Sequence, residues 1–514
     1  MRHTILIFTF IAFLSFMGGI AKAQELDWVK QAGGVDGDGD SCIAVDKWGN
    51  SYVTGHFDGT ATFGAGEANE TELTSAGNID SDIFIAKYDR NGGIVWARQA
   101  GGIDWDRGSG IAVDQWGNSY VTGHFMGTAT FGAGEGNETE LTSTGYQDIF
   151  IAKYNRNGRL IWAKQAGGID WDSDSGNAVA VDKWGNSYVT GDFQGTATFG
   201  AGEANETVLT STGYREIFIA KYDRNGGLVW AKQASGTNGY NYSSDIAVDK
   251  WGNSYVTGDF MDTATFGAGE ANETELTTSD GDIFIAKYDR NGRLIWAKQA
   301  GDIDWDRGSA IAVDKWGNSY ITGFFAGTAT FGTGEANEIE LISAGYQDIF
   351  IAKYDRNGGL VWAKQTSGPG GYEDGGSGIA VDKWGNSYVT GDFQGTATFG
   401  AGEANETALT SANPSGSDGD GADIFIAKYD RNGRLVWATQ AGGFSLDTGT
   451  DIALDRWGNI YVTGGFWNAA VFGAGEANET ALTSAGQVDI FIAKYKNGKE
   501  ALPVSQKIPS IRFK

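Results

Sequence analysis

The sequence predicts an all-β fold, because short runs rich in Ile, Val, Tyr, Phe and Trp alternate with turns rich in Gly and Asn. No stretch after the first 23 residues keeps a helical period. The runs form a unit of about 68 residues that recurs seven times. A Trp-Gly-Asn turn marks each copy, at Trp48, Trp116, Trp184, Trp251, Trp316, Trp384 and Trp457. Repeats of this length built from four short strands are typical of the blades of a β-propeller.

The second unit illustrates the predicted elements of a blade. Four strands are expected, joined by Gly- and Asn-containing turns, with a short extra hairpin inserted between the second and the third. Their ranges are 110–114, 119–123, 148–154 and 160–165, and the hairpin covers 127–132 and 140–143. The inner strands are almost continuously apolar, as expected where neighbouring blades cover both faces of a sheet.

A second tryptophan marks the fourth strand, and its distribution predicts how the chain closes. Six units end in Trp-Ala-(Lys/Arg/Thr)-Gln, whereas the seventh stops at Tyr495 and Lys496. The equivalent segment, 26–31, instead precedes the first unit. An N-terminal strand that completes the last blade would close a seven-bladed ring. The tryptophans of this set are Trp28, Trp96, Trp162, Trp230, Trp296, Trp362 and Trp437.

The first residues predict a cleaved leader. Arg2 and His3 precede an apolar run, and Ala21-Lys22-Ala23 forms a small-x-small cleavage site. We therefore predict a signal peptide at 1–23, a propeller at 24–496 and a short tail at 497–514, with an exported product in the periplasm, at the cell surface or outside the cell. No later segment is apolar enough to span a bilayer.

Charge and cysteine content narrow the partners. The formal net charge is −27, which would repel nucleic acid and anionic membrane surfaces. Cys42 is the single cysteine, so no disulfide can form within the chain. We expect a monomer that relies on its core for stability.

Two strings in each unit resemble a known repeat. Asp-Lys-Trp-Gly-Asn-Ser-Tyr-Val-Thr-Gly and Asp-Ile-Phe-Ile-Ala-Lys-Tyr-Asp-Arg-Asn-Gly are similar to the bacterial SBBP repeat, from about Leu26 to Tyr495. The resemblance implies a seven-bladed β-propeller and an extracytoplasmic setting, and it brings no activity or catalytic residues with it. The segment Tyr88 to Trp96 also resembles the tryptophan-docking motif of quinoprotein dehydrogenases. Those enzymes have eight blades and a dedicated quinone site, so we interpret that likeness as shared blade mechanics.

Catalysis is poorly supplied by these residues. His56 and His124 occupy the same position of two blades, and near-identical blades offer equivalent positions rather than one distinct constellation. We predict no catalytic residues. The Trp-Gly-Asn and Arg-Asn-Gly turns are expected on one face of the ring, and the loops that vary in length on the other. Since binding residues often lie on variable loops of a rigid scaffold, we expect a protein or glycan ligand on the variable, acidic face.

Aspartates on those variable loops are candidate calcium ligands. They alternate with small or aromatic residues, and Ca²⁺ takes six to eight oxygen ligands from such flexible loops. The alternative is that they cap turns and keep the surface soluble. The set is Asp36, Asp38, Asp40, Asp104, Asp106, Asp170, Asp172, Asp174, Asp304, Asp306, Asp418 and Asp420.

Aromatic residues accompany the same loops and suggest a lectin. A ring beside Asp or Asn suits a sugar, because the ring covers its CH face while carboxylates bind its hydroxyls. The alternative is that these rings fold back onto their own blades. The candidates are Trp105, Trp171, Tyr240, Tyr242, Trp305 and Tyr372. The sequence thus predicts a non-enzymatic binding scaffold, with a multivalent, Ca²⁺-dependent lectin as one alternative and a propeller enzyme or quinoprotein relative as another.

Overall fold

The computed structural model describes residues 25–77, 80–169, 173–236, 239–366, 368, 374–414 and 421–497, without the side chain of Asp40. Within these ranges the chain forms 36 β-strands and no helix, which confirms the all-β prediction. None of the described segments is a helix with the length and apolar character needed to cross a bilayer. The predicted leader and positions 498–514 of the predicted tail lie outside the described residues.

The strands follow the repeat. The N-terminal strand is β1 (Glu25–Gly34). The first unit contains β2 (Asp38–Val45), β3 (Ser51–Phe57), β4 (Thr60–Phe63), β5 (Thr71–Thr74), β6 (Asp82–Tyr88) and β7 (Ile94–Gly101). The second contains β8 (Arg107–Val113), β9 (Ser119–Phe125), β10 (Thr128–Phe131), β11 (Thr139–Thr142), β12 (Asp148–Tyr154) and β13 (Leu160–Gly167). The third contains β14 (Ser175–Val181), β15 (Ser187–Phe193), β16 (Thr196–Phe199), β17 (Thr207–Thr210), β18 (Glu216–Tyr222) and β19 (Leu228–Ala234).

In three of the remaining units the hairpin strands are continuous with their neighbours. The fourth unit contains β20 (Tyr242–Val248), β21 (Ser254–Phe266), β22 (Thr274–Tyr288) and β23 (Leu294–Gly301). The fifth contains β24 (Arg307–Val313), β25 (Ser319–Phe331), β26 (Ile339–Tyr354) and β27 (Leu360–Thr366). The sixth contains β28 (Gly375–Val381), β29 (Ser387–Phe393), β30 (Thr396–Phe399), β31 (Thr407–Thr410), β32 (Asp423–Tyr429) and β33 (Leu435–Gly443). The seventh contains β34 (Asp447–Leu454), β35 (Ile460–Phe472) and β36 (Thr480–Lys496).

Each unit is an antiparallel meander of four strands, as predicted. In the second unit β8 pairs with β9, β9 with β12, and β12 with β13. The inserted hairpin also reaches back, so that β10 pairs with β7 of the preceding unit. The hairpin therefore joins neighbouring units through backbone hydrogen bonds.

The chain ends meet in the same way. Strand β1 pairs antiparallel with β36, from Glu25 opposite Lys496 to Ala32 opposite Ile490. It also pairs with β4 of the first unit. The first strands contact one another in chain order, from β2 to β34, and β34 contacts β2. The predicted completion of the seventh unit by the N-terminal strand is thus present as strand pairing.

The core lies between units. Seven clusters of buried apolar side chains occur among the described residues, and each combines side chains of two consecutive units or of the seventh and first. In the last of these, Tyr461, Ile490 and Ile492 pack with Ile43 and Val53. Burying large apolar faces against each neighbour is what fixes the units relative to one another.

Candidate functional site

A groove on the loops of the fourth and fifth units gathers three of the predicted aromatic residues. Its volume is about 540 Å³, and Tyr240, Tyr242 and Trp305 line it together with Tyr346. Asp259, Asp280 and Asp304 contribute its carboxylates. Tyr240, Trp305 and Tyr346 are 43, 49 and 67% exposed, so their rings are open to a ligand.

Stacking fixes the rings on one side of the groove. Tyr240 stacks on Tyr242 with ring centroids 6.4 Å apart and on Tyr214 with centroids 5.4 Å apart. The rings of both pairs are nearly parallel. The guanidinium of Arg215 lies 5.3 Å from the centroid of Tyr242. Such offset aromatic and cation–π contacts restrict ring rotation, so this side of the groove is organised before any ligand arrives.

Trp305 forms the other side and is held from below. Its ring meets Phe324 edge to face at 5.3 Å. A Cβ added to Gly281 would lie 2.3 Å from Cδ1 of Trp305, so the indole needs a glycine at that position. The fold therefore positions Trp305 between β25, which carries Phe324, and β22, which carries Gly281.

Ion pairs lie at the floor of the groove and beside it. Arg307 Nε lies 3.5 Å from Asp259 Oδ1, and Arg215 Nη1 lies 2.7 Å from Asp192 Oδ2. Burial raises the pKa of Asp259 to about 6, and the Arg307 guanidinium limits that rise. Burial likewise raises the pKa of Asp192, against the opposing charge of Arg215. The floor can therefore accept hydrogen bonds from a polar ligand.

The other predicted aromatic residues do not join this groove. Trp105 is as exposed as Trp305, but its indole N–H donates to Asp80 in the loops of the first and second units. Trp171 and Tyr372 lie outside the described residues. Sequence reasoning missed Tyr346, although the Gly-Tyr dipeptide before its third strand also occurs at Tyr146 and Tyr214.

Four of the predicted aspartates are buried rather than displayed on loops. Asp38, Asp106, Asp174 and Asp306 occupy one position of the first, second, third and fifth units, and each is at most 2% exposed. Asp106 accepts hydrogen bonds from Gly102 N at 2.7 Å and Met126 N at 3.0 Å. Asp306 accepts from Ala326 N at 3.0 Å. These carboxylates join the loop before the first strand to the end of the second.

A second buried carboxylate, which sequence reasoning missed, faces each of these positions. It begins the third strand in the first, second, third and sixth units and lies within the longer β22, β26 and β36 in the others. The residues are Asp82, Asp148, Glu216, Asp282, Asp348, Asp423 and Asp489. A Cβ on Gly101 would lie 2.5 Å from Asp82 Oδ1 and 2.9 Å from Asp106 Oδ2, so both oxygens border one glycine. Burial and the Asp82 charge raise the pKa of Asp106 to about 8.

The remaining predicted metal ligands do not assemble with these pairs. Asp36, Asp104 and Asp304 lie against Gly59, Gly127 and Gly327, of which the first two follow second strands and the third lies within β25. Asp170, Asp172, Asp418 and Asp420, and the side chain of Asp40, lie outside the described residues. In the described part of the chain no three His, Cys, Asp or Glu side chains lie close enough to hold a metal ion. The calcium site therefore stays a prediction.

The two tryptophan sets play different parts. Those of the fourth strands pack within their own unit and also reach the next one. Trp96 meets Tyr52 of the first unit edge to face at 6.1 Å and donates to Arg156 O of the second unit at 3.3 Å. Those of the Trp-Gly-Asn turns are 42–54% exposed. In each of those turns an aspartate carboxylate accepts a hydrogen bond from the backbone N–H of the tryptophan, as Asp46 does from Trp48 at 2.8 Å.

The four-stranded repeating units define a propeller-type repeat protein. Three segments, 95–124, 161–192 and 436–464, match the SBBP β-propeller repeat. The chain is therefore similar to that repeat at three places, as the sequence predicted, and the exported setting that the resemblance implied stays a prediction.

One relative and several solved structures are similar over most of the chain. An uncharacterized WD repeat-containing protein of Acanthamoeba polyphaga mimivirus is 24% identical across 94% of this chain, which spans 39% of that relative. The crystal structure of Sqt1 from Chaetomium thermophilum aligns with 93% of this chain and 100% of its own, at 8% identity and a TM-score of 0.39. A protein of unknown function from Dyadobacter fermentans aligns with 91% and 99% of the two chains, at 9% identity and a TM-score of 0.33.

Proposed function

We propose that the seven units close into a seven-bladed ring. The pairing of β1 with β36 and the contact of β34 with β2 support closure. Tyr461 donates to Gly49 O at 2.9 Å, which repeats the bond from Tyr120 to Gly185 O inside the chain. Ser41 and Thr463 hydroxyls lie 2.8 Å apart across the same boundary. The last and first units thus meet through the contacts used between interior units.

On this frame we propose an exported, non-enzymatic binding scaffold whose ligand lies in the groove of the fourth and fifth units. The observation that carries the proposal is that the exposed rings of Tyr240, Trp305 and Tyr346 form aromatic walls of one groove that carboxylates also line. Such a wall suits a carbohydrate, because aromatic rings cover the CH face of a sugar and carboxylates accept its hydroxyl hydrogens. The WD repeat-containing relative is consistent with a scaffold.

Catalysis at the groove is poorly supported as an alternative to binding. Asp259 is buried beside Arg307, and no nucleophile with an adjacent base lines the described part of the groove. His124 Nδ1 lies 3.3 Å from Ser175 Oγ, but that pair belongs to the second and third units. Export of the mature chain from residue 24 rests on the leader alone.

A glycan array tests the groove. The mature chain is applied with Ca²⁺ and again with EDTA, beside a Trp305→Ala/Tyr346→Ala variant and a Trp105→Ala control of matched exposure. We expect the wild type and the control to bind the same glycans and the double variant to lose them at an unchanged melting temperature. Dependence on Ca²⁺ would add a metal to the site. Equal binding by all three proteins, or binding by none, would contradict a carbohydrate groove.

A further inference from the structure

The Trp-Gly-Asn turns form a second surface, at the opposite ends of the strands from the groove. Tyr242 begins β20, whereas Trp251 lies in the turn that follows β20. Consecutive turns touch: a Cβ on Gly117 would lie 3.2 Å from Cζ3 of Trp48 and 3.5 Å from Cβ of Arg156. The same contact joins Gly49 to Trp457, so it also links the last unit to the first. We call the seven turn tryptophans and the cations beside them the tryptophan face.

In six of the seven units a cationic side chain lies over the indole of the turn tryptophan. The cationic group lies 4.2–4.5 Å from the ring centroid, and the residues are Lys47, Lys183, Lys250, Lys315, Lys383 and Arg456. The second unit has Gln115 at that position instead. A second exposed cation precedes the Asn-Gly of the neighbouring turn, at Arg90, Arg156, Arg224, Arg290, Arg356 and Arg431.

The carboxylates of the same turns are occupied within the turn. Asp182 Oδ1 accepts from Trp184 N and Asn186 N, and its Oδ2 accepts from Asn186 Nδ2. Asp223 Oδ1 accepts from Asn225 N and Gly227 N. The aspartates at these positions of the other units do the same, as Asp249 shows. The most exposed charged groups of the face are therefore the lysines and arginines, although the whole chain carries −27.

Recesses lie between consecutive tryptophans. One of about 470 Å³ is lined by Trp116, Trp184, Lys183 and Arg224. Another of about 400 Å³ is lined by Trp251, Trp316, Lys250 and Arg356. Each offers two half-exposed indoles, two cations and one carboxylate, which is Asp223 in the first recess and Asp355 in the second.

We propose that the tryptophan face binds an anionic polysaccharide, of the polyuronate class, through several recesses at once. An indole covers the CH face of a pyranose ring, while a lysine or arginine pairs with the carboxylate of the same sugar. Repeated ligand units then engage repeated recesses, and avidity raises the affinity without new contacts. At physiological salt the acidic loops at the other ends of the strands are largely screened, because charges more than about 8 Å apart interact weakly.

Two charge-matched variants test this surface with alginate as the probe. The first, Lys183→Gln/Lys250→Gln/Lys315→Gln/Lys383→Gln, gives four units the glutamine that the second unit already has. The control, Lys164→Gln/Lys232→Gln/Lys298→Gln/Lys364→Gln, removes four lysines of the fourth strands that pair with glutamates of the hairpin turns. Binding is measured by calorimetry on the mature chain, with polyglutamate and dextran as comparison polymers.

We expect the wild type and the control to bind alginate, and the tryptophan-face variant to bind it at least about tenfold more weakly. Polyglutamate, which has the charge without the sugar, should bind weakly, and dextran should not bind. A Trp184→Ala/Trp251→Ala variant with an unchanged melting temperature should also lose alginate. Absence of alginate binding, equal loss in both quadruple variants, or equal affinity for polyglutamate would each overturn the proposal.

Discussion

At the scale of single residues, the buried carboxylates separate what a sequence can predict from what it cannot. The repeat identified Asp38, Asp106, Asp174 and Asp306 as equivalent positions. The alternating acidic pattern, however, predicted solvent-exposed loops there. Burial depends on the facing carboxylate and on glycines such as Gly101, whose missing side chain lets both approach. That close approach is a tertiary contact between segments about 20 residues apart, and local pattern does not report it. Asn241 occupies the equivalent position of the fourth unit and accepts from Met261 N at 3.2 Å.

This comparison predicts the effect of Asp306→Asn. Burial raises the pKa of Asp306 from 3.8 to about 8. The folded protein therefore retains a proton that the unfolded chain loses as the pH rises from about 4 to about 8, and stability falls over that window. The asparagine keeps the bond to Ala326 N, as Asn241 does to Met261 N, and cannot ionise. We expect the variant to remove up to about 1.4 kcal/mol per pH unit from that fall, measured by urea unfolding between pH 4 and pH 8.

Asp302→Asn is the control, because Asp302 lies in the same loop and is exposed. It should leave most of the pH dependence of the unfolding free energy in place, because its charge only adds to the burial that raises the pKa of Asp282. A slope for Asp306→Asn equal to that of the wild type would mean that the Asp306 carboxyl titrates normally in the folded protein.

At the scale of elements, the strands and turns were predictable because each repeats seven times with the same apolar and glycine pattern. The inserted hairpin was predicted only as a short addition between the second and third strands. It also pairs with the fourth strand of the preceding unit, as β10 does with β7. In the fourth, fifth and seventh units it continues the second and third strands, as in β21 and β22. These differences follow from pairing between units, which the sequence of one unit does not contain.

Alanine substitutions at two glycines of the third unit should differ in how much they lower the unfolding free energy. Gly226 and Gly202 both have positive φ, 86° and 76°. A Cβ on Gly226 would lie 2.8 Å from the indole of Trp162, whereas nothing lies within 4 Å of a Cβ on Gly202. Both alanine substitutions should cost about 1–2 kcal/mol for the left-handed backbone. Gly226→Ala should cost about 1–3 kcal/mol more through overpacking, as measured by chemical unfolding. Equal costs would mean that the indole moves freely aside.

At the scale of the whole molecule, the sequence predicted the seven copies and the displaced N-terminal strand, and the pairing of β1 with β36 agrees with that prediction. The groove was predicted only in part. Tyr240, Tyr242 and Trp305 were chosen as loop aromatics, but their meeting in one groove depends on how the fourth and fifth units lie side by side. Trp105 has the same local sequence as Trp305 and a different neighbourhood.

Ring closure gives the last prediction. Trp28 of β1 meets Tyr461 at 6.1 Å and donates to Arg90 O at 3.3 Å. Trp162, at an interior boundary, meets Tyr120 at 6.1 Å and donates to Arg224 O at 3.4 Å. If the ring is closed, the two boundaries contribute equally to the unfolding free energy. Trp28→Ala and Trp162→Ala should then lower it by similar amounts, about 3 kcal/mol each.

Deleting residues 24–31 from the mature chain should cost more than either substitution, because the seventh unit then loses its fourth strand and its backbone pairing with β36. Calorimetry of the wild type, both alanine variants and the deletion measures all four melting temperatures under one set of conditions. A closed ring unfolds as one cooperative body, so the deletion should lower the melting temperature of the entire transition. Trp28→Ala and the deletion leaving it unchanged, while Trp162→Ala lowers it, would instead describe an open array whose N-terminal strand is dispensable.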